Sequence, residues 1–170
     1  MTGEVLPEVQ MSSVFCRAKA REILEQLGIS GPPVDVEAIA GAHGLVVRYV
    51  ARAKAFEWRV VREPMVIEVN RQHPRHKQRF TIAHELGHFV LGHTPVMSVF
   101  DDRDIADPHR LNERQANAFG SELLMPERGV RAQWPKLRRI DEMARVFDVS
   151  SEAMYYRLEE LDLLGLPPSR

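Results

Sequence analysis

The chain has 170 residues, of which 44% are hydrophobic and 28% are charged, and its formal net charge is -1. This length suits one domain, or a domain with a small appendage. The near-neutral charge gives no strong attraction to phosphate, so composition does not favour nucleic-acid binding. Cys16 is the only cysteine, which excludes an intrachain disulfide and a cluster of thiolate zinc ligands. We expect it to be a small apolar residue on the first helix.

The sequence has no signature of export or of membrane insertion. Its first ten residues lack the basic and then apolar segments of a signal peptide, and no apolar run approaches the length of a membrane span. We therefore expect a cytoplasmic protein that does not bind membranes.

Two helices are predicted in the N-terminal part. Apolar residues recur at helical spacing from Val14 to Leu27, and Gly28 follows as a natural stop. Asp35 is a suitable N-cap for a second, short helix through Ala42, which Gly44 terminates.

Three β-rich segments follow, at Leu45 to Val50, Trp58 to Val61 and Met65 to Val69. Residues 62–64 are expected to form the turn between the last two. We predict a small antiparallel sheet here, and an exposed edge of such a sheet could align an extended peptide substrate.

The segment His84-Glu85-Leu86-Gly87-His88 carries the most specific chemistry. No proline interrupts residues 75–91, so a helix is expected to run through it. Histidines four residues apart on a helix point to the same side and can share a zinc ion. Zinc with an open coordination position lowers the pKa of its bound water to about 7, and Glu85 can accept the water's proton. The pattern favours peptide-bond hydrolysis.

Two histidines leave one protein ligand to be found. The metzincin pattern HExxHxxGxxH requires Gly at position 91 and His at position 94, where this chain has Leu91 and Thr94. We therefore interpret His93 as a residue at the helix C-terminus, where a partly cationic ring suits the helix dipole. The other source of a third ligand is a carboxylate on a second helix.

Glu113 is the candidate for that carboxylate. Residues 112–125 predict a helix that ends at a proline, and on it Ala116, Asn117 and Gly120 share one side with Glu113. The small residues would let this helix lie close to the His84 helix. Spacing alone leaves an alternative, in which Glu113 is a solvated acid in the first turn.

Residues 94–111 form a long, aspartate-rich segment. We interpret it either as a loop that borders the active site or as a solvated linker. His109, at its end, is either a surface histidine or a group that polarises a substrate carbonyl.

From Arg138 onward the pattern predicts two short helices around residues 148–150, as in a helix-turn-helix. The side chains expected to point outward from the second helix are Glu152, Tyr155, Glu159 and Glu160. Because an acidic helix repels phosphate, we expect a packing or protein-recognition module rather than a DNA reader. Tyr155 and Tyr156 are either aromatic residues without a catalytic role or oxyanion stabilisers.

Three stretches together resemble the ImmA/IrrE family of zinc metallopeptidases. They are Arg79 to His88, Glu113 to Phe119 and Leu123 to Pro126, and the similarity extends over nearly the whole chain. The chain departs from the usual family pattern at Gln115, which is commonly Glu, and at Gly120, which is commonly Ala. Neither position is that of a ligand.

The resemblance implies that His84, His88 and Glu113 bind one Zn²⁺ per chain and that Glu85 is the general base. Other divalent metals can occupy such a site. We expect an α+β fold, with a small antiparallel sheet packed on a zincin-like pair of metal-binding helices. We expect a peptidase domain over residues 1–134 and a helix-turn-helix-like module over residues 135–170.

The sequence thus predicts a zinc endopeptidase. The family resemblance implies that it cleaves a regulatory protein, such as a helix-turn-helix repressor or an antitoxin-like partner, in transcription regulation or a stress response. Two alternatives are a zinc-containing regulator that binds its partner without turnover, and a transcription factor that binds DNA through residues 138–164.

Overall fold

The computed structural model describes residues 12–51, 65–93 and 108–165. The elements within these ranges are α1 (Ser13–Gln26), α2 (Val36–Ala42), β1 (Leu45–Val50), β2 (Met65–Asn70), α3 (Arg75–Val90), α4 (Pro108–Leu124), α5 (Glu127–Leu137), α6 (Ile140–Phe147) and α7 (Ser151–Glu160). The mixture of helices with a small sheet agrees with the predicted α+β class.

The first two helices begin and end where the sequence predicts. The Ser12 hydroxyl accepts from the backbone N–H of Phe15 at the start of α1, and the Asp35 carboxylate accepts from that of Ala38 at the start of α2. Gly28 and Gly44 follow the two helices with φ of +66° and +78°. This left-handed conformation is the one that glycine adopts without steric cost. Cys16 is fully buried in α1, as expected.

The sheet corrects the prediction of antiparallel strands. β1 and β2 pair directly and in parallel, with Leu45 opposite Met65 and Val50 opposite Asn70. Alternation of apolar residues identifies a strand but does not fix the direction of its neighbour. Residues 51–64 separate the two strands, which is about the length that a parallel crossover requires. The predicted strand Trp58 to Val61 and its turn lie outside the described residues.

The apolar side chains of every described helix and of both strands contribute to one hydrophobic cluster. Helix α5, which the sequence analysis did not identify, adds Val130 and Trp134 to this cluster, and the Trp134 indole donates a hydrogen bond to the carbonyl of Leu163 (3.1 Å). Division of the chain into residues 1–134 and 135–170 stays a prediction, and α5 spans that boundary. Among the described residues, no helix is both long and apolar enough to cross a membrane.

Helix α7 is fixed against the rest of the chain at both ends. At its N-terminal side, the carboxylate of Asp148 accepts a hydrogen bond from Arg75 (2.6 Å). The backbone carbonyl of Asp148 accepts a second one from the buried Arg79 (3.1 Å). Towards its C-terminal side, Arg157 pairs with Glu122 of α4, and both side chains are almost completely buried. Arg157 also donates to the carbonyl of Met125 (3.0 Å). The predicted helix-turn-helix-like segment is therefore anchored directly to the two long helices.

Replacing Arg157 by Met should strongly destabilise the protein, because it leaves the Glu122 carboxylate buried without its main cationic partner. Breaking one half of a buried ion pair costs about 3–5 kcal/mol of unfolding free energy. The control is Arg145→Met, which removes the exposed pair between Arg145 and Asp141 within α6 and should cost less than about 1 kcal/mol. Urea denaturation of both variants measures the difference, and equal losses would show that the buried pair does not anchor α7.

Candidate metal centre

The backbones of α3 and α4 approach each other closely at two glycines. A Cβ atom added to Gly87 would lie 3.0 Å from the ring of Phe119 and 3.2 Å from the carbonyl oxygen of Ala116. A Cβ added to Gly120 would lie 3.3 Å from the backbone nitrogen of His84. The absence of side chains at these positions lets the helices pack nearly backbone to backbone, as the small residues after Glu113 predict.

This close crossing brings His84, His88 and Glu113 into one cluster. Each offers a ligand atom, and the three atoms lie within 4.8 Å of one another. The two histidine Nε2 atoms are 3.0 Å apart, and each lies 3.2 Å from an oxygen of the Glu113 carboxylate. Glu113 is in the second turn of α4 and its side chain is only 26% exposed. The alternative of a solvated first-turn acid therefore does not describe its position.

The donor set fits a zinc ion. A tetrahedral ion with bonds of about 2.0–2.2 Å holds its ligand atoms about 3.3 Å apart. The separations of 3.0 and 3.2 Å in this cluster are close to that value. Two imidazoles and one carboxylate are also the ligand set of His2Glu zinc sites, in which a fourth position is left for water.

Hydrogen bonds on the far side of each ring fix which nitrogen faces the cluster. The Nδ1 atom of His84 lies 2.9 Å from Oδ1 of Asn117, and an amide oxygen can only accept, so Nδ1 donates. In the neutral ring, Nε2 of His84 then carries a lone pair directed at the cluster. Asn117 lies one helical turn beyond Glu113, so α4 supplies both a candidate ligand and the group that orients another.

His88 is oriented by a longer chain of hydrogen bonds. Nε2 of His93 lies 2.8 Å from Oε1 of Gln115 and must donate to it, which leaves Nδ1 of His93 as an acceptor. That atom lies 3.0 Å from Nδ1 of His88, which therefore donates. The lone pair on Nε2 of His88 then points into the cluster. Both histidines thus direct unprotonated nitrogens at the same point as a carboxylate, which is an arrangement that favours a cation.

The structure corrects our interpretation of His93. The ring is half-buried, and its burial lowers its pKa below the ordinary value, so it is not a partly cationic group at the helix end. It stands outside the cluster of candidate ligands and contacts one of them instead. Sequence reasoning missed this role, and that of Gln115, because the two residues are far apart in the chain and have no local spacing signal.

Charge interactions within the cluster favour ionised Glu113. Burial alone would raise the pKa of its carboxyl group, but hydrogen bonds to His84 and His88 hold it well below its usual range. Burial alone would lower the pKa of His84, but the hydrogen bond and the charge of Glu113 outweigh it, so this pKa lies above its usual value. The charge of Glu85 acts in the same direction on His84, which places the Glu85 carboxylate within electrostatic reach of the cluster.

Tyr155 and Tyr156, which the sequence offered as possible catalytic groups, are not among the three candidate ligands. Tyr155 and Tyr156 are exposed on α7, with their rings in edge contact. Tyr156 lines a cavity that Asn117 also lines. Most of the segment 94–111 and the side chain of His109 lie outside the described part of the chain.

Fold and cluster define a helix pair in which an HExxH segment faces a glutamate of the neighbouring helix. The family model described as the IrrE N-terminal-like domain, a peptidase family, matches residues 40–159. The chain belongs to this family. The match includes both helices of the cluster and continues through α6 and into α7.

Two curated relatives carry the name radiation response metalloprotease IrrE. The protein from Deinococcus deserti is 28% identical over 170 residues, covering 94% of this chain and 58% of the relative. The protein from Deinococcus radiodurans is 30% identical over 169 residues, covering 91% of this chain and 50% of the relative. This chain therefore spans between 50% and 58% of the length of these two relatives.

A solved structure supports the fold. The chain superposes with a TM-score of 0.63 on a structure described as a Mycobacterium tuberculosis transcriptional regulator, at 19% sequence identity. The alignment covers 85% of this chain and 46% of that one. At this identity the likeness concerns the fold alone.

Gly87→Ala should weaken zinc binding by about fivefold to a hundredfold. The added methyl group would press on the fully buried Phe119 and on the backbone of α4, and overpacking of this kind costs about 1–3 kcal/mol. Separation of the helices would draw Glu113 away from the two histidines. Competition with a chromophoric chelator measures the zinc affinity.

Gly41→Ala is the matched control. Gly41 lies in α2, and a Cβ atom added there meets nothing within 4 Å. This change should leave zinc affinity unaltered and raise the unfolding free energy by up to about 1 kcal/mol through helix propensity. If both variants bind zinc as tightly as the wild type, close helix packing does not control the site.

Zinc affinity should fall as the pH is lowered through neutrality. Zinc needs the unprotonated Nε2 of His84, and the raised pKa of this ring makes protons compete for it above the ordinary histidine value of about 6.5. Glu113, whose pKa is lowered, stays ionised over this range. Chelator competition at several pH values measures the effect. An affinity that is constant from about pH 7.5 to about pH 6 would contradict this.

Proposed function

We propose that the chain is a zinc-dependent endopeptidase. The observation that carries the proposal is the convergence of two unprotonated imidazole nitrogens and one ionised carboxylate on a single point, beside a further carboxylate on the same helix turn. Membership of a peptidase family supports the assignment, as do the metalloprotease names of the two Deinococcus relatives.

His84, His88 and Glu113 would hold the metal. Bound there, zinc would polarise the scissile carbonyl and lower the pKa of a water molecule to about 7. Glu85 does not coordinate the metal in this mechanism. Its carboxylate accepts the proton of the attacking water and then delivers it to the nitrogen of the leaving amine, so that one group serves as base and then as acid.

The substrate that we propose is a regulatory protein, of the helix-turn-helix repressor or antitoxin-like class that the family resemblance implies. The surface of α7 supports a protein rather than DNA as partner. Glu152, Glu159 and Glu160 are exposed there, whereas Arg157 is buried in ion pairs with Glu122 and Glu160. A helix with this charge distribution does not attract the phosphate backbone.

Glu85→Gln tests the enzymatic role directly. Because Glu85 is not a proposed ligand, the variant should bind zinc and unfold like the wild type but lose at least about 99% of its cleavage rate, in line with the loss of a general base. The assay is mass analysis of helix-turn-helix repressors from the same organism, beginning with any that is encoded beside this protein, incubated with either form. A single cut made only by the wild type is the expected result.

Glu25→Gln is the matched control, because it changes the same functional group on the exposed face of α1. It should cleave as the wild type does. If Glu85→Gln cleaves normally, the mechanism is wrong. If the wild type captures the repressor and never cuts it, the chain is a binding regulator instead.

A further inference from the structure

A cavity of about 540 Å³ lies between α3, α4 and α7. Its volume is within the range of about 300–1,000 Å³ that is usual for ligand sites. The side chains from the three helices include Lys77 and Phe80 of α3, Asn117 and Ser121 of α4, and Ala153 and Tyr156 of α7. Nothing in the proposed chemistry at the metal uses this space.

The cavity lies next to the metal centre, because Phe80 and Asn117 line it and both contact His84. Phe80 lies one helical turn before His84, and their ring centroids are 6.2 Å apart. Asn117 lies one turn after Glu113, lines the cavity and accepts the hydrogen bond from His84. One turn of helix is roughly 5.4 Å long, and an extended peptide advances roughly 3.3 Å per residue. A residue one or two positions from a bond at the metal would therefore reach the cavity.

The walls of the cavity are mainly apolar. Phe80, Met125, Val149, Ala153 and Tyr156 supply most of the side-chain carbon. The charged groups that also line it are two cations and two anions, Lys77 of α3 and Arg157, Glu152 and Glu160 of α7, and the imidazole of His76 lies there too. Glu160 is already paired with Arg17 and Arg157. The cavity thus offers apolar contact and no unbalanced charge that would select an ionic side chain.

The wall contributed by α7 is rigidly placed. Asp148, just before this helix, is held by Arg75 and Arg79 of α3, and Arg157 is held by Glu122 of α4. Tyr156 and Ala153 are therefore fixed in position relative to His84 and Glu113. A preformed wall of this kind loses little conformational entropy when a ligand binds.

We propose that this cavity is a substrate subsite that receives an apolar side chain, of leucine or phenylalanine type, from a residue next to the scissile bond. The inference rests on the proposed metal site and gives the C-terminal helix a role in substrate selection. The occupant is one residue of the peptide substrate, since the cavity lies beside His84 and within the reach of a residue next to a bond at the metal.

The test uses zinc-binding probes and needs no turnover. The probes are succinyl hydroxamates whose side chain beside the metal-binding group is hydrogen, isobutyl, benzyl or carboxymethyl. Affinity for the zinc-loaded protein is measured by calorimetry. Burial of an apolar side chain of this size is worth about tenfold to a hundredfold in affinity, so the isobutyl and benzyl probes should bind at least about tenfold more tightly than the other two.

Two variants fill the cavity from opposite walls. Ala153→Trp acts from α7 and Ser121→Phe from α4, and both residues are half-buried. Each should abolish the preference for apolar probes while leaving the affinity of the probe without a side chain within about twofold. Ala132→Trp places the same large residue on the exposed face of α5 and should keep the preference. Thermal unfolding identifies a variant that is not folded. In that case the probe affinities of the other cavity-filling variant test the proposal.

Each outcome decides the matter. An apolar preference that both folded variants lose establishes the subsite, even if the wild type proves unable to cleave peptides, in which case only the proposed hydrolysis fails. Equal affinities for all probes, or a preference that survives both substitutions, overturn the inference. That result would leave the cavity to another occupant, such as a second copy of this chain.

Discussion

The close crossing of α3 and α4 is the constraint on which the rest of the site depends. A glutamate side chain is short, so Glu113 meets both histidines only if the two backbones are nearly in contact. Gly87 and Gly120 permit this contact, each by the absence of a Cβ atom. The same helix supplies the groups that orient the two imidazoles, since Asn117 accepts from His84 and Gln115 accepts from His93, which in turn contacts His88. The positions of the three ligand atoms, the tautomers of the two histidines and the charge of Glu113 therefore all depend on the close crossing of α3 and α4.

The C-terminal helices are held against α3 and α4 by ion pairs. Buried arginines connect α3 and α4 to the C-terminal helices, with Arg79 bound to Asp148 and Arg157 to Glu122. These contacts fix α7 beside the metal centre and create a preformed cavity there. The acidic exposed surface of α7 agrees with the proposed function, in which this helix contacts a protein substrate, because such a surface repels phosphate.

How far the sequence could predict this structure depended on the range of each interaction. The glycine stops after α1 and α2, the Asp35 cap of α2 and the helix through HExxH rest on local contacts, and they were predicted correctly. The direction of the sheet and the pairing of His93 with Gln115 depend on distant residues, which leave no periodic signal. Helix α5 was missed because Gly129 and Pro135 lie within it, and both residues disfavour a helix when judged locally. The small residues after Glu113 were informative because close helix packing leaves a direct mark on sequence.

The central claim is that one metal ion lies between the two helices. The most direct measurement is anomalous diffraction at the zinc edge from crystals of the zinc-loaded protein. The account predicts a single strong peak at bonding distance, about 2.0–2.2 Å, from Nε2 of His84, Nε2 of His88 and a carboxylate oxygen of Glu113, with His93 and Gln115 outside the coordination sphere. A peak bound by His93 in place of Glu113, or no peak between α3 and α4, would contradict it.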